Sequence, residues 1–320
     1  MRKPELLEET RPGRNCPLAY RYPPSSLRRD PEIVAGAIYI VGGLYGNVEA
    51  LDRVIAIVAA EAGAALVFNG DFHWFDVAHE DFVAVNGAVL AHYAIRGNVE
   101  TEIAVDASGA GCGCAYPLDV SDAEVSRSNR ILERLRDTAR AFPQLRDALG
   151  KLPMNLVGRV GDARVGIVHG DAASLAGWGF AHDRMGEPGH RRWIGNAFRD
   201  SGVDVFASSH TCLPAMRSFD FGAGEVAVAN NGAAGMPNFA GRSSGILTRV
   251  GIEPFGGATL YATMVRGVHV EAIEIAYDRN RWARRFLASW PEGSPAHESY
   301  WRRISEGPRF QLESALPRAA

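Results

Sequence analysis

Four residues of this chain carry side chains suited to holding a divalent cation, and each follows a short apolar run. They are Asp71 in Gly70-Asp71, Asn98 in Gly97-Asn98-Val99-Glu100, His169 in His169-Gly170-Asp171, and His210 in Ser209-His210-Thr211-Cys212. One carboxylate, one amide oxygen and two imidazoles form a donor set that suits Mn, Fe or Zn. Taken singly each is weak, because Gly-Asp and Gly-Asn are ordinary turn dipeptides. Their common placement after strands carries the reading. Loops at the carboxyl ends of strands in an open α/β sheet gather at one edge, where ligands bind. If the strands share that edge, the four side chains converge. A fifth loop of this kind, Gly42-Gly43-Leu44-Tyr45-Gly46-Asn47, brings Tyr45.

Thiols add further options. Cys212, two residues after His210, reads as a metal ligand, with an activated nucleophile as the alternative, since imidazolium or metal lowers a thiol pKa. Cys112 and Cys114 sit in the Gly-rich stretch GAGCGCAYP, which could hang over the same edge and offer its sulfurs there. A Cys-x-Cys pair without companion ligands is a weak signal, and an open loop with free thiols is the plainer reading. His73 could supply an imidazole, but its neighbours Phe72, Trp74 and Phe75 read more simply as an aromatic cluster around a buried histidine. Arg96, Arg191 and Arg192 are candidate phosphate contacts, with solvated surface charge as the simpler account.

The elements that must position these residues alternate in type. AIYIV (37–41) and ALVFNG (65–70) are β-type runs around a stretch, 47–63, with helical spacing of Ala, Leu, Val and Ile. A helix-like segment near 77–91 and YAIRG (93–97) continue the alternation, which predicts an α/β fold. SDAEVSRSNRILERLRDTARAF (121–142) predicts a long amphipathic helix, with Ser121 as N-cap and Glu124 completing a capping box. MNLVGRV and RVGIVHG around Gly161-Asp162 predict a hairpin. A helix near 190–201 leads to VDVFASS, and the later segments read as successive strands. The expected division is an extension over 1–35, a domain over 36–278 and a tail over 279–320 that packs back on the domain. No internal repeat is present.

Composition sets outer limits. The 320 residues are 47% hydrophobic and 22% charged with a formal net charge of −3, an ordinary globular balance without an electrostatic footprint for nucleic acid or an anionic membrane. No signal-type apolar core opens the sequence and no run approaches a membrane span, so a cytoplasmic location is expected. Four cysteines are too few for a disulfide framework in a chain of this size.

GGLYGNVEAL, NGDFHWFD, RGNVE, VHGD and SHTCLP, in that order over 37–275, resemble the motifs of the calcineurin-like metallophosphoesterases, and most of all their small bacterial phosphodiesterase branch. NNGAAGMP (230–237) is similar to that branch's Asn-Pro-Gly-Ser segment. The resemblance implies a four-layer α-β-β-α sandwich of two mixed sheets. It also implies that Asp71 bridges two metals and that Asn98, His169 and His210 complete the second. The first family motif, Asp-x-His-Gly-Asn, stands here as Gly43-Leu44-Tyr45-Gly46-Asn47, so both its metal ligands are absent. Val99 replaces the histidine that would assist proton transfer, and Cys212 replaces the second histidine of Gly-His-x-His.

The expectation is therefore a metal-dependent hydrolase of phosphoesterase type acting on a small phosphorylated compound. Asp71, Asn98 and His210 would take part in the reaction. One or two ions of Mn, Fe or Zn would be held by Asp71, Asn98, His169 and His210, with Cys212 and Tyr45 as candidate ligands of a second. Two alternatives stand beside it: a non-catalytic binding or regulatory relative, and metal or thiol chemistry on a non-phosphate substrate through Cys212. A homo-oligomer stays open.

Overall fold

The structure, a computed structural model, describes residues 11–106, 109–222 and 224–319. Its strands are β1 (Ile33–Val34), β2 (Ala37–Val41), β3 (Ala65–Asn69), β4 (Tyr93–Ile95), β5 (Asn155–Val160), β6 (Ala163–Val168), β7 (Val205–Ser208), β8 (Ala215–Asp220), β9 (Glu225–Asn230), β10 (Gly245–Gly251), β11 (Tyr261–Val265), β12 (Val268–Ile275) and β13 (Arg318–Ala319). Its helices are α1 (Val48–Ala59), α2 (His79–Val89), α3 (Asn98–Ile103), α4 (Asp122–Arg140), α5 (Pro143–Lys151), α6 (Arg191–Ser201), α7 (Arg279–Ser289), α8 (Pro295–Glu306) and α9 (Leu312–Ala315).

The strands form two mixed sheets. One runs β11-β12-β10-β2-β3-β4, with β2, β3 and β4 parallel and the remaining pairs antiparallel. The other runs β1-β5-β6-β7-β9-β8-β13, with β6, β7 and β9 parallel. Strand β2 is buried along its whole length, which explains its unbroken apolar sequence. Ile38 and Ile40 point into a cluster with Ile167, Val205 and Ala207 of the other sheet, while Tyr39 and Val41 join the helix-facing cluster. The outer face of the second sheet is covered by α6 through Ile194, Ala197 and Phe198. Helix, sheet, sheet, helix is the four-layer sandwich expected from the motifs.

Two local features matter for the site. Ser121 caps α4, its Oγ accepting from Glu124 N at 3.2 Å while the Glu124 carboxylate reaches back to Ser121 N. Residues 11–34, where no hydrophobic period is legible, are nonetheless built in. There β1 pairs with β5, and Tyr20, Leu27 and Ile33 are buried. At the other end of the chain, Trp282, Phe286 and Trp290 join the cluster around Phe75, and the Trp290 indole N–H donates to the Phe75 carbonyl at 2.9 Å. No helix among the described residues is long and apolar enough to cross a membrane.

Candidate metal centre

The site is assembled from loops at the carboxyl ends of β2, β3, β4, β6 and β7. Loop 42–47 is zipped to loop 70–72: Gly43 N donates to Gly70 O at 3.2 Å, Tyr45 N to Asp71 O at 3.1 Å and Gly46 N to Phe72 O at 2.7 Å. Glu100, buried at the start of α3, ties the next pair together. Its Oε2 accepts from Asp71 N and Gly97 N, both at 2.8 Å, and its Oε1 from His73 N at 3.2 Å. The His169 carbonyl accepts from both Ser209 N and His210 N at 3.0 Å, which locks the ends of β6 and β7.

Four donor atoms meet inside this frame. His169 Nε2 lies 3.3 Å from Asp71 Oδ2, 3.1 Å from Asn98 Oδ1 and 3.2 Å from His210 Nδ1. All four residues are buried. What turns the donors inward is the engagement of their outer atoms. His169 Nδ1–H donates to Asn69 O at 2.9 Å and His210 Nε2–H to Cys114 O at 3.0 Å, so each imidazole turns its other ring nitrogen to the centre. Asn98 Nδ2 donates to Cys112 O at 2.9 Å, which leaves its carbonyl oxygen facing in. Asp71 Oδ1 accepts from Val99 N at 3.2 Å, freeing Oδ2. Asp71, His169 and His210 form a buried cluster whose ligand atoms lie within 4.8 Å of one another, close enough to hold one cation. The donor chemistry and outer hydrogen bonds fit a divalent ion of the Mn, Fe or Zn type.

Charge follows the same geometry. Burial pushes the Asp71 carboxyl up, but the charge and hydrogen bond of His169 outweigh it and hold Asp71 below the ordinary carboxylate range. Burial pushes His169 down, and Asp71 more than reverses that, leaving it above its usual value. His210, desolvated and beside His169, falls to about 4 and is neutral at physiological pH. A cation bound here would compete with the proton that Asp71 favours on His169.

The other half of the site differs. Gly43 is left-handed, and the Tyr45 ring atoms lie 3.0 Å from where its Cβ would sit, so the ring fills the space a side chain at 43 would need. Tyr45 Oη is 2.8 Å from Cys212 Sγ, and the Cys212 thiol donates to His210 O at 3.3 Å. Burial raises both groups, Tyr45 well above the usual phenol value and Cys212 above the usual thiol value. Tyr45, Asp71, Ala115 and Cys212 all have φ between 50° and 61°, a conformation that costs a non-glycine residue about 1–3 kcal/mol and gathers at functional sites.

Several readings from the sequence need correcting here. The Cys112 and Cys114 loop is packed, with Cys112 fully buried; its backbone carbonyls hold Asn98 and His210, and Cys114 lines the cleft with its Sγ 3.7 Å from Asn98 Nδ2, but neither sulfur is among the clustered ligand atoms. Arg96 donates to Gly150 O at 2.7 Å, and Arg191 and Arg192 line a different groove, so none of the three lines the cleft. His73 is fully buried, with Nδ1 2.5 Å from Asp76 Oδ2 and its ring stacked on Phe82, as its aromatic surroundings suggest. The cleft over the cluster has a volume of about 190 Å³, with walls from Trp74, Tyr116, Trp178 and Tyr300. No lysine or arginine lines it among the described residues. Trp178 and Tyr300 lie outside every motif, so no pattern in the sequence marks them.

No family model matches the chain, and no curated protein matches it. Solved structures do. A hypothetical protein from Pyrococcus horikoshii OT3 is 16% identical with a TM-score of 0.56, over 87% of this chain and 100% of that one. A metallophosphoesterase from Sphaerobacter thermophilus is 16% identical with a TM-score of 0.54, over 86% of this chain and 100% of its own. At this identity the likeness establishes a shared fold.

Proposed function

We propose that this chain, which has the calcineurin-like metallophosphoesterase fold, is a hydrolase of small phosphoesters that works with a single divalent cation held by Asp71, Asn98, His169 and His210. The observation that carries the proposal is the convergence of the four donor atoms, each turned inward by a hydrogen bond on its far side. Outer hydrogen bonds of this kind are what orient histidine and carboxylate groups as metal ligands. When bound, a divalent cation would supply Lewis-acid polarisation of a phosphoryl oxygen and activation of water at neutral pH.

The chain's own residues do the rest. Asp71 and neutral His210 bind the cation and orient the reacting group, and Asn98 fixes its amide oxygen beside them. Tyr45, kept as a neutral phenol by burial, offers an O–H on the side where dinuclear relatives place a second ion. Trp74, Tyr116, Trp178 and Tyr300 exclude water from a cleft whose size limits the substrate to a small group. The absence of a lining lysine or arginine among the described residues favours a singly charged phosphodiester over a dianionic monoester, because a second charge would be desolvated without a partner.

A panel of phosphomonoesters and diesters assayed with Mn, Zn and Fe, with Asp71→Asn as control, tests the reading. Turnover of a diester with one bound ion per chain, lost in Asp71→Asn, is expected. Purified protein that takes up none of the three metals would refute it. Binding of one ion without turnover of any ester would leave a regulatory relative, a reading favoured by Val99 standing where proton transfer is assisted.

A further inference from the structure

We infer that a groove at the far end of β7 and β9 binds a compact organic anion, with a flat apolar body and a sulfonate-, carboxylate- or phosphate-type head. The groove has a volume of about 790 Å³ and shares no residue with the cleft over the metal cluster. Val203 and Asp204, which line it, precede β7, whereas His210 follows that strand. The two sites therefore lie at opposite ends of the same sheet.

The apolar part is a ledge of aromatic rings. Phe221, 38% exposed, stacks on Phe219 with centroids 5.7 Å apart and an interplanar angle of 10°. Gly195 on α6 permits this, since the ring lies 3.0 Å from where a Cβ would be. Phe198 continues the lining. A ledge with one face toward solvent can accept a second flat body.

The charged part is less ordinary. Arg191, Arg192, Arg199 and Arg266 line the groove against one carboxylate, Asp204, in a chain whose formal net charge is −3. Arg191 lies over Phe221, 5.0 Å from guanidinium carbon to ring centroid, and its Nη2 donates to Asp220 O at 2.8 Å. Its Nη1 is buried and has no hydrogen-bond partner among the described residues. A buried guanidinium N–H left unsatisfied is costly, so Arg191 gains a bond if its side chain turns toward an anionic oxygen in the groove. Arg199 already pairs with Asp200 at 3.3 Å, and Arg266 pairs with Asp204. Arg266 enters from the β11–β12 turn at a φ of 46° and is followed by Gly267 at 77°. Turns of this kind favour Asn-Gly, so arginine at the first position is held against backbone preference.

Calorimetric titration with naphthalenesulfonate, which no phosphoesterase can turn over, tests the site on the full chain. Wild type and Asp71→Asn are expected to bind it alike, with no binding of uncharged naphthalenemethanol. Arg192→Glu, a change at an exposed side chain, is expected to weaken binding by at least about tenfold. Arg266→Gln serves as a second variant from the other wall. Equal affinity in both arginine variants, or loss of binding in Asp71→Asn, would overturn the inference. So would the lack of saturable binding below about 5 mM, or capture of a glutamate-rich peptide by a groove that ignores the sulfonate.

Discussion

Tyr45 Oη and Cys212 Sγ meet at 2.8 Å, and both residues are held in left-handed backbone conformations to do so. The contact joins the two side chains that stand where the family motifs have ligands of a second cation. It replaces two metal donors with a hydrogen-bonded phenol and thiol, both kept protonated by burial. On the proposed single-ion reading, the site has one place for a cation and a neutral donor beside it.

Tyr45→Phe tests that division of labour. It removes one oxygen and leaves the ring against Gly43. Metal content is expected to be unchanged, while kcat for the best diester falls by about 100-fold, the scale of losing one hydrogen-bond donor to a developing negative charge. Metal analysis and steady-state kinetics on the same preparation check both. A loss of metal in this variant would move the phenol into the ligand set.

The loop geometry predicts a second effect at a residue with no functional side chain. A Cβ at Gly97 would lie 2.2 Å from Asp71 Oδ1 and 2.6 Å from Asp71 N. Gly97→Ala must therefore displace the carboxylate from His169. Its affinity for Mn or Zn, read by chelator competition, is expected to drop by at least about tenfold, the scale seen when outer-shell support is lost.

Away from the site, Arg249 is a buried hub on β10. It donates to Glu271 at 2.6 Å and, through two bonds, to Glu61. Arg249→Met leaves Glu271 buried without its cation and is expected to cost about 3–5 kcal/mol in urea unfolding at neutral pH. The hydrogen bond from Arg249 holds the Glu61 carboxyl below its ordinary 4.5 against a smaller opposing effect of burial. A depressed carboxyl contributes stability above its ordinary pKa and loses it as pH falls through the folded value. The gap between wild type and variant should therefore narrow in melts below about pH 4.

Thiol reactivity separates ligand-like and nucleophilic accounts of Cys212. Burial raises Cys212 and, more strongly, Cys114, whose thiol is also raised by contact with Cys112. Iodoacetamide at about pH 7.5 is expected to label Cys212 and Cys114 slowly in the native protein and fully after denaturation, because only the thiolate attacks. Peptide mapping gives the answer, and rapid labelling of Cys212 with loss of activity would restore the nucleophile.

Much of this arrangement is visible in the sequence, for a physical reason. Asp71, Asn98, His169 and His210 follow strands that are buried on both faces, and such strands announce themselves as short apolar runs ending in Gly-Asp, Gly-Asn or His. The outer shell is hidden because much of it is backbone. Nothing in GAGCGCAYP distinguishes a loop that lends its carbonyls to Asn98 and His210 from one that lends its sulfurs. Glu100 could have been singled out, since Gly97-Asn98-Val99-Glu100 has the acid three residues after the cap that a helix N-terminus favours. Two-residue β1 is too short to show a period, so the pairing of Ile33 and Val34 with β5 in the second sheet is a property of tertiary packing alone.

Tyr300 stands on α8, and Arg303 one turn later donates to the Cys212 carbonyl at 2.8 Å. The pocket is thus enclosed by residues spread from position 45 to position 300 of the polypeptide. A ribosome adding about 5–20 residues per second needs on the order of 13–50 s to go from the first wall to the last. Until then the nascent chain can display its strand-end ligands but not a closed cleft, so any hydrolysis it performs begins only after Tyr300 has been added and folded into place.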